Sequence, residues 1–166
     1  MTMHPHPDLE LVPKSQWRGH TAFYVGWLGG KEPFATGVTP SQLVEKLSEF
    51  DDMSIYMRGL APCPRCDEVI FVNRGEKIPL GQSHILIPWH DHWYFAPDLI
   101  IHHIQAHGYC PPDAFVQAAL ATSVNSIEYK LALLRLFRSD PNLHPGQAPW
   151  TLPFAETQAL WRLLDG

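Results

Sequence analysis

Residues 99–112 read LIIHHIQAHGYCPP, placing three histidines and a cysteine between a run of isoleucines and a pair of prolines. Together with the preceding Ala96-Pro97-Asp98, the stretch predicts a helix. Pro97 and Asp98 open it and Gly108 closes it, because glycine adopts the left-handed C-terminal cap at little cost. Upstream lie EVIFVN (residues 68–73), the turn RGEK (74–77), SHILIPW (83–89) and HWYFA (92–96). These are short β-branched and aromatic runs split by turn residues, so they predict a small antiparallel sheet. The chain therefore switches from strands to helices at about Pro97.

Outward from this switch the remaining segments follow. HTAFYVGWL (20–28) reads as a strand ending at Gly29-Gly30. In TPSQLVEKLSEF (39–50), Thr39 is the expected N-cap, Pro40 the first helical residue and Gln42 the capping-box partner. Leu43, Val44, Leu47 and Phe50 then share one face. MSIYMRG (53–59) reads as a short strand leading to the cysteines. PPDAFVQAAL (111–120) restarts a helix, and NSIEYKLALLRLFR (125–138) carries Ile127, Leu131 and Leu134 at helical spacing. After the loop SDPNLHPGQAPWTLP (139–153), FAETQALWRLL (154–164) forms a last helix. The proline-rich HPHPDLELVP (4–13) belongs to an extended arm. The expected fold is α+β: a small antiparallel sheet followed by C-terminal helices. Its expected divisions are an N-terminal arm (1–18), a metal-binding α+β domain (19–122) and a helical C-terminal extension on the same domain (123–166).

At 166 residues and 45% apolar content the chain can bury a core without disulfide support. Twelve basic against seventeen acidic residues give a net charge of −5, and no Lys/Arg run occurs. Nucleic acid is thus not an expected partner, since phosphate binding draws on clustered Lys and Arg. No apolar stretch reaches the roughly 18 residues of a membrane helix, so no membrane association is expected. MTMHPHPDLELVPK (1–14) lacks the basic-then-apolar layout of a signal peptide. Three cysteines make a poor disulfide framework, and a cytoplasmic location with reduced thiols is the expectation.

The chemistry centres on APCPRC (61–66). Its C-x-x-C lets two thiolates approach one ion from a tight turn that Pro64 stiffens, and Zn²⁺ then needs two more ligands. His102 and His107, with four residues between them, fall within the spacing of Cys2His2 sites. His103 and His107, at i and i+4, share a helix face more naturally. Loosening of the last turn before Gly108 would bring His102 and His107 together. A redox C-x-x-C is a weaker reading, because such pairs begin a helix after a strand and this one precedes an apolar strand. Simple burial of the thiols is a further alternative. Cys110 is close enough in sequence to act as a reserve ligand. His90, Asp91 and His92 read as a polar turn, although Asp91 between two histidines has the residue types to bind metal or activate water. Tyr24, Trp27, Trp89, Trp93, Tyr94 and Phe95 read as sheet-face packing.

YVGWL (24–28), LVEKL (43–47), RGLAPCPRC (58–66), SHILIP (83–88) and YFAPDLIIHHIQAHGYCPPDAFVQA (94–118) together resemble a family of small uncharacterised bacterial proteins. That family shows an Arg-Gly, a C-x-x-C, a short sheet, then a Tyr-x-x-Pro-x-Leu-Ile-x-His helix ending in His-x-Tyr-x-Pro-Pro. The resemblance runs over about residues 22–121, and the tail after Ser123 lies outside it. It implies Cys63, Cys66, His102 and His107 as the ligand set. His103 stands where the family usually has tyrosine, which favours the 102/107 pair. Ala61-Pro62 replaces a histidine that commonly precedes the first cysteine, so no role for such a histidine carries over. The resemblance implies no activity. The expected function is that of a zinc-stabilised, non-enzymatic protein that binds another protein, as an immunity or accessory protein. The competing expectation is a zinc-dependent hydrolase using Asp91, His90 or His92, although no H-E-x-x-H or G-x-S-x-G motif is present.

Overall fold

A computed structural model of the chain describes residues 4–17, 19–52, 60–73, 75–138 and 154–166. The strand expected over 53–59 and the loop over 139–153 lie outside the described residues. The strands are β1 (Ala22–Tyr24), β2 (Ile70–Asn73), β3 (Glu76–Pro79), β4 (His84–Trp89) and β5 (His92–Pro97). The helices are α1 (Leu43–Asp52), α2 (Ile100–His107), α3 (Asp113–Ala121), α4 (Ile127–Phe137) and α5 (Phe154–Asp165). The α+β reading holds.

The sheet is mixed rather than purely antiparallel. β4 and β5 form the expected antiparallel hairpin, but β1 runs parallel to β5, pairing Phe23 with Tyr94 in the order β1-β5-β4. The long excursion between β1 and β5 contains α1 and the separate β2–β3 hairpin, and it supplies the crossover that parallel neighbours require. The N-terminal arm runs antiparallel along the outer edge of β1. Leu9 N–H donates to Tyr24 O at 2.8 Å, Tyr24 N–H to Glu10 O at 2.9 Å and Val12 N–H to Ala22 O at 2.8 Å. A strand edge that would otherwise be open is thereby paired.

One face of the sheet builds the core. Ile85, Ile87, Tyr94 and Ala96 are buried with Leu43, Leu47 and Phe50 of α1, Ile100 and Ile101 of α2, and Phe115 of α3. Helix α1 starts at Leu43, later than the Thr39–Pro40 signal suggests. Pro40 O accepts from Leu43 N–H at 3.0 Å, so Ser41 and Gln42 form a turn that leads into the helix. In α4 the N-cap Ser126 hydroxyl accepts from Tyr129 N–H at 3.2 Å. The buried face of α4 runs through Tyr129, Leu133, Leu134 and Leu136, while Ile127 is 55% exposed. Tyr129 sets that choice of face, with its hydroxyl donating to Leu86 O at 3.0 Å and its ring edge-on to Phe50. Ion pairs Lys130–Glu156 at 2.6 Å and Arg138–Asp165 at 2.9 Å link α4 to α5.

Asp98 departs from its expected role as opener of α2. Its buried carboxylate accepts the N–H groups of Gly81 (2.8 Å), Gln82 (3.2 Å) and Ser83 (3.2 Å), along with the Ser83 hydroxyl at 3.0 Å. Asp98 thus satisfies the β3–β4 connection, and α2 begins with no side-chain cap. Gly81 sits at φ 86°, and its carbonyl accepts from Ala61 N–H at 2.7 Å. A Cβ at Gly81 would run into the Ala61 carbonyl, so only glycine lets these two backbones approach. Through this contact the start of the cysteine segment is fixed to the sheet.

Candidate metal centre

The cysteine segment folds on itself in one tight loop. Cys63 N–H donates to Glu68 O at 2.9 Å, and Cys63 O accepts from Asp67 N–H at 2.8 Å. Asp67 closes the loop in the left-handed conformation at φ 56°, which aspartate tolerates better than most residues. The loop turns Cys63 inward, fully buried, and leaves Cys66 exposed.

The second half of the site is the end of α2. His102 and His107 are five residues apart, which places them roughly 140° apart around an ideal helix. The helix ends directly after His107. Gly108, left-handed at φ 65°, donates its N–H to His103 O, and Tyr109 N–H donates to the same carbonyl at 3.1 Å. These bonds reach back five and six residues, against the four of a regular α-helical turn. His107 is the last residue of α2, and its ring stands nearly perpendicular to that of His102 with centroids 5.0 Å apart.

The two halves meet. Cys63 Sγ lies 3.4 Å from His107 Nε2, and Cys66 Sγ lies 3.2 Å from His102 Nε2. One donor atom from each of Cys63, Cys66, His102 and His107 lies within 4.8 Å of every other, so the group is close enough to hold a metal ion. A tetrahedral ion with Zn–S near 2.3 Å and Zn–N near 2.0–2.1 Å spaces its ligand atoms roughly 3.3–3.8 Å apart, and the two sulfur–nitrogen pairs at 3.4 and 3.2 Å come within a few tenths of that range. The electrostatics agree with a cation site. Burial pushes the Cys63 thiol above its ordinary pKa, against the loop N–H groups of Arg65 and Cys66, so its thiolate calls for a nearby positive charge. Burial also lowers His102, with His107 adding to the effect, and neutral imidazole is the ligating form.

The other sequence candidates take no part. His103 is buried on another side of α2, its ring centroid 6.2 Å from those of both His102 and His107. Neither of its ring nitrogens has a hydrogen-bond partner among the described residues, and burial holds its pKa down at about 3. Cys110 packs beside Gly37, outside the four-residue group. His90 and Asp91 form the β4–β5 turn and His92 opens β5, with Asp91 bound to His92 Nδ1 at 3.2 Å, and all three lie outside the group.

Two residues that the spacing argument did not single out complete the site. Arg65, between the cysteines, donates to Gly29 O at 2.7 Å and Glu32 O at 3.1 Å, and its guanidinium lies 4.6 Å from the Phe34 ring centroid. Phe34 in turn meets Tyr109 edge-on, and Cys110 N–H donates to Ala35 O at 2.9 Å. Residues 29–37 therefore bridge the cysteine loop and the helix end without metal. A lone arginine inside a C-x-x-C was the only sequence signal for this bridge.

Residues 4–120 match a family described as a domain of unknown function, DUF7919, and the match contains all four residues of the group. No curated protein and no solved structure matches the chain. Helices α4 and α5 follow the matched region. With more than two-thirds of its 166 residues in that match, the chain belongs to the DUF7919 family.

Proposed function

We propose that the chain is a zinc-stabilised, non-enzymatic protein whose Cys63, Cys66, His102 and His107 close a tetrahedron around one Zn²⁺, and whose task is to bind another protein. The observation that carries this reading is the mutual approach of four ligand atoms from two segments, all within 4.8 Å. Two thiolates and two imidazoles leave no ligand position for substrate, and the thiolates neutralise the ion, so a structural role follows. The clip joins the cysteine loop to α2 and thereby fixes the surface that the loop presents. An acidic balance of seventeen to twelve favours a protein partner over nucleic acid, in keeping with an immunity or accessory role.

The test compares thermal unfolding of the zinc-loaded protein, the chelated protein and Cys63→Ser. Metal loss belongs to the class of changes that cost more than about 4 kcal/mol, so both treatments should lower the transition strongly and to a similar extent. Identical transitions in all three would contradict the proposal. Affinity capture from the native host with wild type as bait, and with Cys63→Ser as control, should return a protein held only by the metal-loaded form.

A further inference from the structure

We infer that the Cys63–Cys66 pair is also a peroxide-responsive switch that releases the metal by forming a disulfide. This deepens the zinc reading above and rests on it. The pair is asymmetric: Cys66 is exposed and Cys63 fully buried. An oxidant arriving from solvent therefore reaches the Cys66 sulfur first. Its thiolate attacks one oxygen of hydrogen peroxide, the O–O bond breaks, and Cys66 becomes a sulfenic acid as hydroxide leaves.

The Cys63 thiolate is the resolving group. Its sulfur lies within 4.8 Å of the Cys66 sulfur, in a loop held by the Cys63–Glu68 and Asp67–Cys63 backbone bonds. Closing that gap to the about 2.0 Å of a disulfide needs rotation of the two side chains within the loop. Cys63 attacks the Cys66 sulfur, the S–S bond forms and a second hydroxide leaves. Two thiolates have lost two electrons, one peroxide has gained two, and two protons from solvent complete two waters. The disulfide no longer donates charge to the ion, and His102 and His107 alone do not fill a zinc coordination shell.

The metal-free bridge makes the event local. Arg65 keeps its hold on the Gly29 and Glu32 carbonyls, and Cys110 N–H keeps Ala35 O, so the loop and the helix end stay near their places. A thiol reductant can then restore both thiolates and the site can reload. Cys110 lies outside the group and is removed as Cys110→Ser to leave the pair as the only thiols.

The experiment titrates zinc-loaded, full-length Cys110→Ser protein with hydrogen peroxide. A chromophoric chelator reports free zinc, peptide mass reports the 63–66 segment, and far-UV circular dichroism reports the fold. One zinc should be released per disulfide, the peptide should lose the mass of two hydrogens, and the dichroism should persist. Dithiothreitol with zinc should restore the starting state. Zinc that stays bound until the dichroism collapses, or a Cys66 sulfinic acid with no link to Cys63, would overturn the switch while leaving the zinc site standing. A protein that holds no zinc before peroxide is added would overturn both.

Discussion

The Tyr109 hydroxyl lies 2.9 Å from both carboxylate oxygens of Asp8, so a residue two positions beyond His107 anchors the N-terminal arm. Asp8 also accepts Gly26 N–H at 2.9 Å. Tyr109 is fully buried, and burial together with the Asp8 charge pushes its phenol pKa far up, so the hydroxyl remains a donor. The end of α2 thus organises two things at once: the candidate metal centre on one side and the arm along β1 on the other.

Tyr109→Phe should loosen the arm and leave the metal centre intact. Removing a donor to a part-buried carboxylate costs about 1–3 kcal/mol. Amide hydrogen exchange at Leu9 and Val12, whose N–H groups bond to β1, should quicken, with metal content unchanged. Unaltered exchange there would show that the Asp8 contact does not hold the arm.

Asp98→Ala should destabilise the protein more than its position near a helix start suggests. It strips the acceptor from three N–H groups of residues 81–83, while the Ser83 hydroxyl keeps its shorter bond to the Asp51 carboxylate. Leaving such groups buried and unpaired costs on the order of 2–4 kcal/mol in total. Asp98→Asn, which keeps one carbonyl acceptor, should fall between alanine and wild type in urea denaturation. Equal stability of all three proteins would refute this role for the carboxylate.

His84 predicts an acid-side loss of stability. Its ring packs against Phe95 and Trp27 with centroids 4.7 and 5.5 Å away, and burial lowers its pKa from 6.5 to about 4. Between those values the unfolded chain binds a proton that the folded chain refuses, so stability falls as pH drops from 6.5 toward 4. The contribution is at most about 3 kcal/mol. His84→Phe should flatten this part of the pH–stability curve relative to wild type, and parallel curves would count against it.

The cysteine pair and a histidine pair at the end of α2 were legible from residue types at short spacings, but spacing left His102 and His103 as alternatives, and the family resemblance favoured His102. The hairpin β4–β5 was legible from two aromatic and β-branched runs around a polar turn. The parallel pairing of β1 with β5 was not, since β1 has the same composition as its neighbours and its partner lies about 70 residues away in sequence. Asp98 matched a helix-start signal but spends its oxygens on a loop that local rules cannot see. In α4 two apolar stripes compete at the same spacing, through Ile127 or through Tyr129. The fold selects Tyr129, whose hydroxyl finds Leu86 O. The Arg65 bridge was hidden because arginine between two cysteines carries no spacing rule of its own.

The central claim, one structural Zn²⁺ held by Cys63, Cys66, His102 and His107, is tested most directly by elemental analysis joined to X-ray absorption at the zinc edge. Protein purified without added metal should carry close to one zinc per chain. Its first shell should contain two sulfurs at about 2.3 Å and two nitrogens at about 2.0–2.1 Å. A metal-free, fully folded protein with Cys63 and Cys66 both reduced would contradict the account, and so would a shell with a water oxygen in place of one histidine nitrogen, which would favour the hydrolase instead.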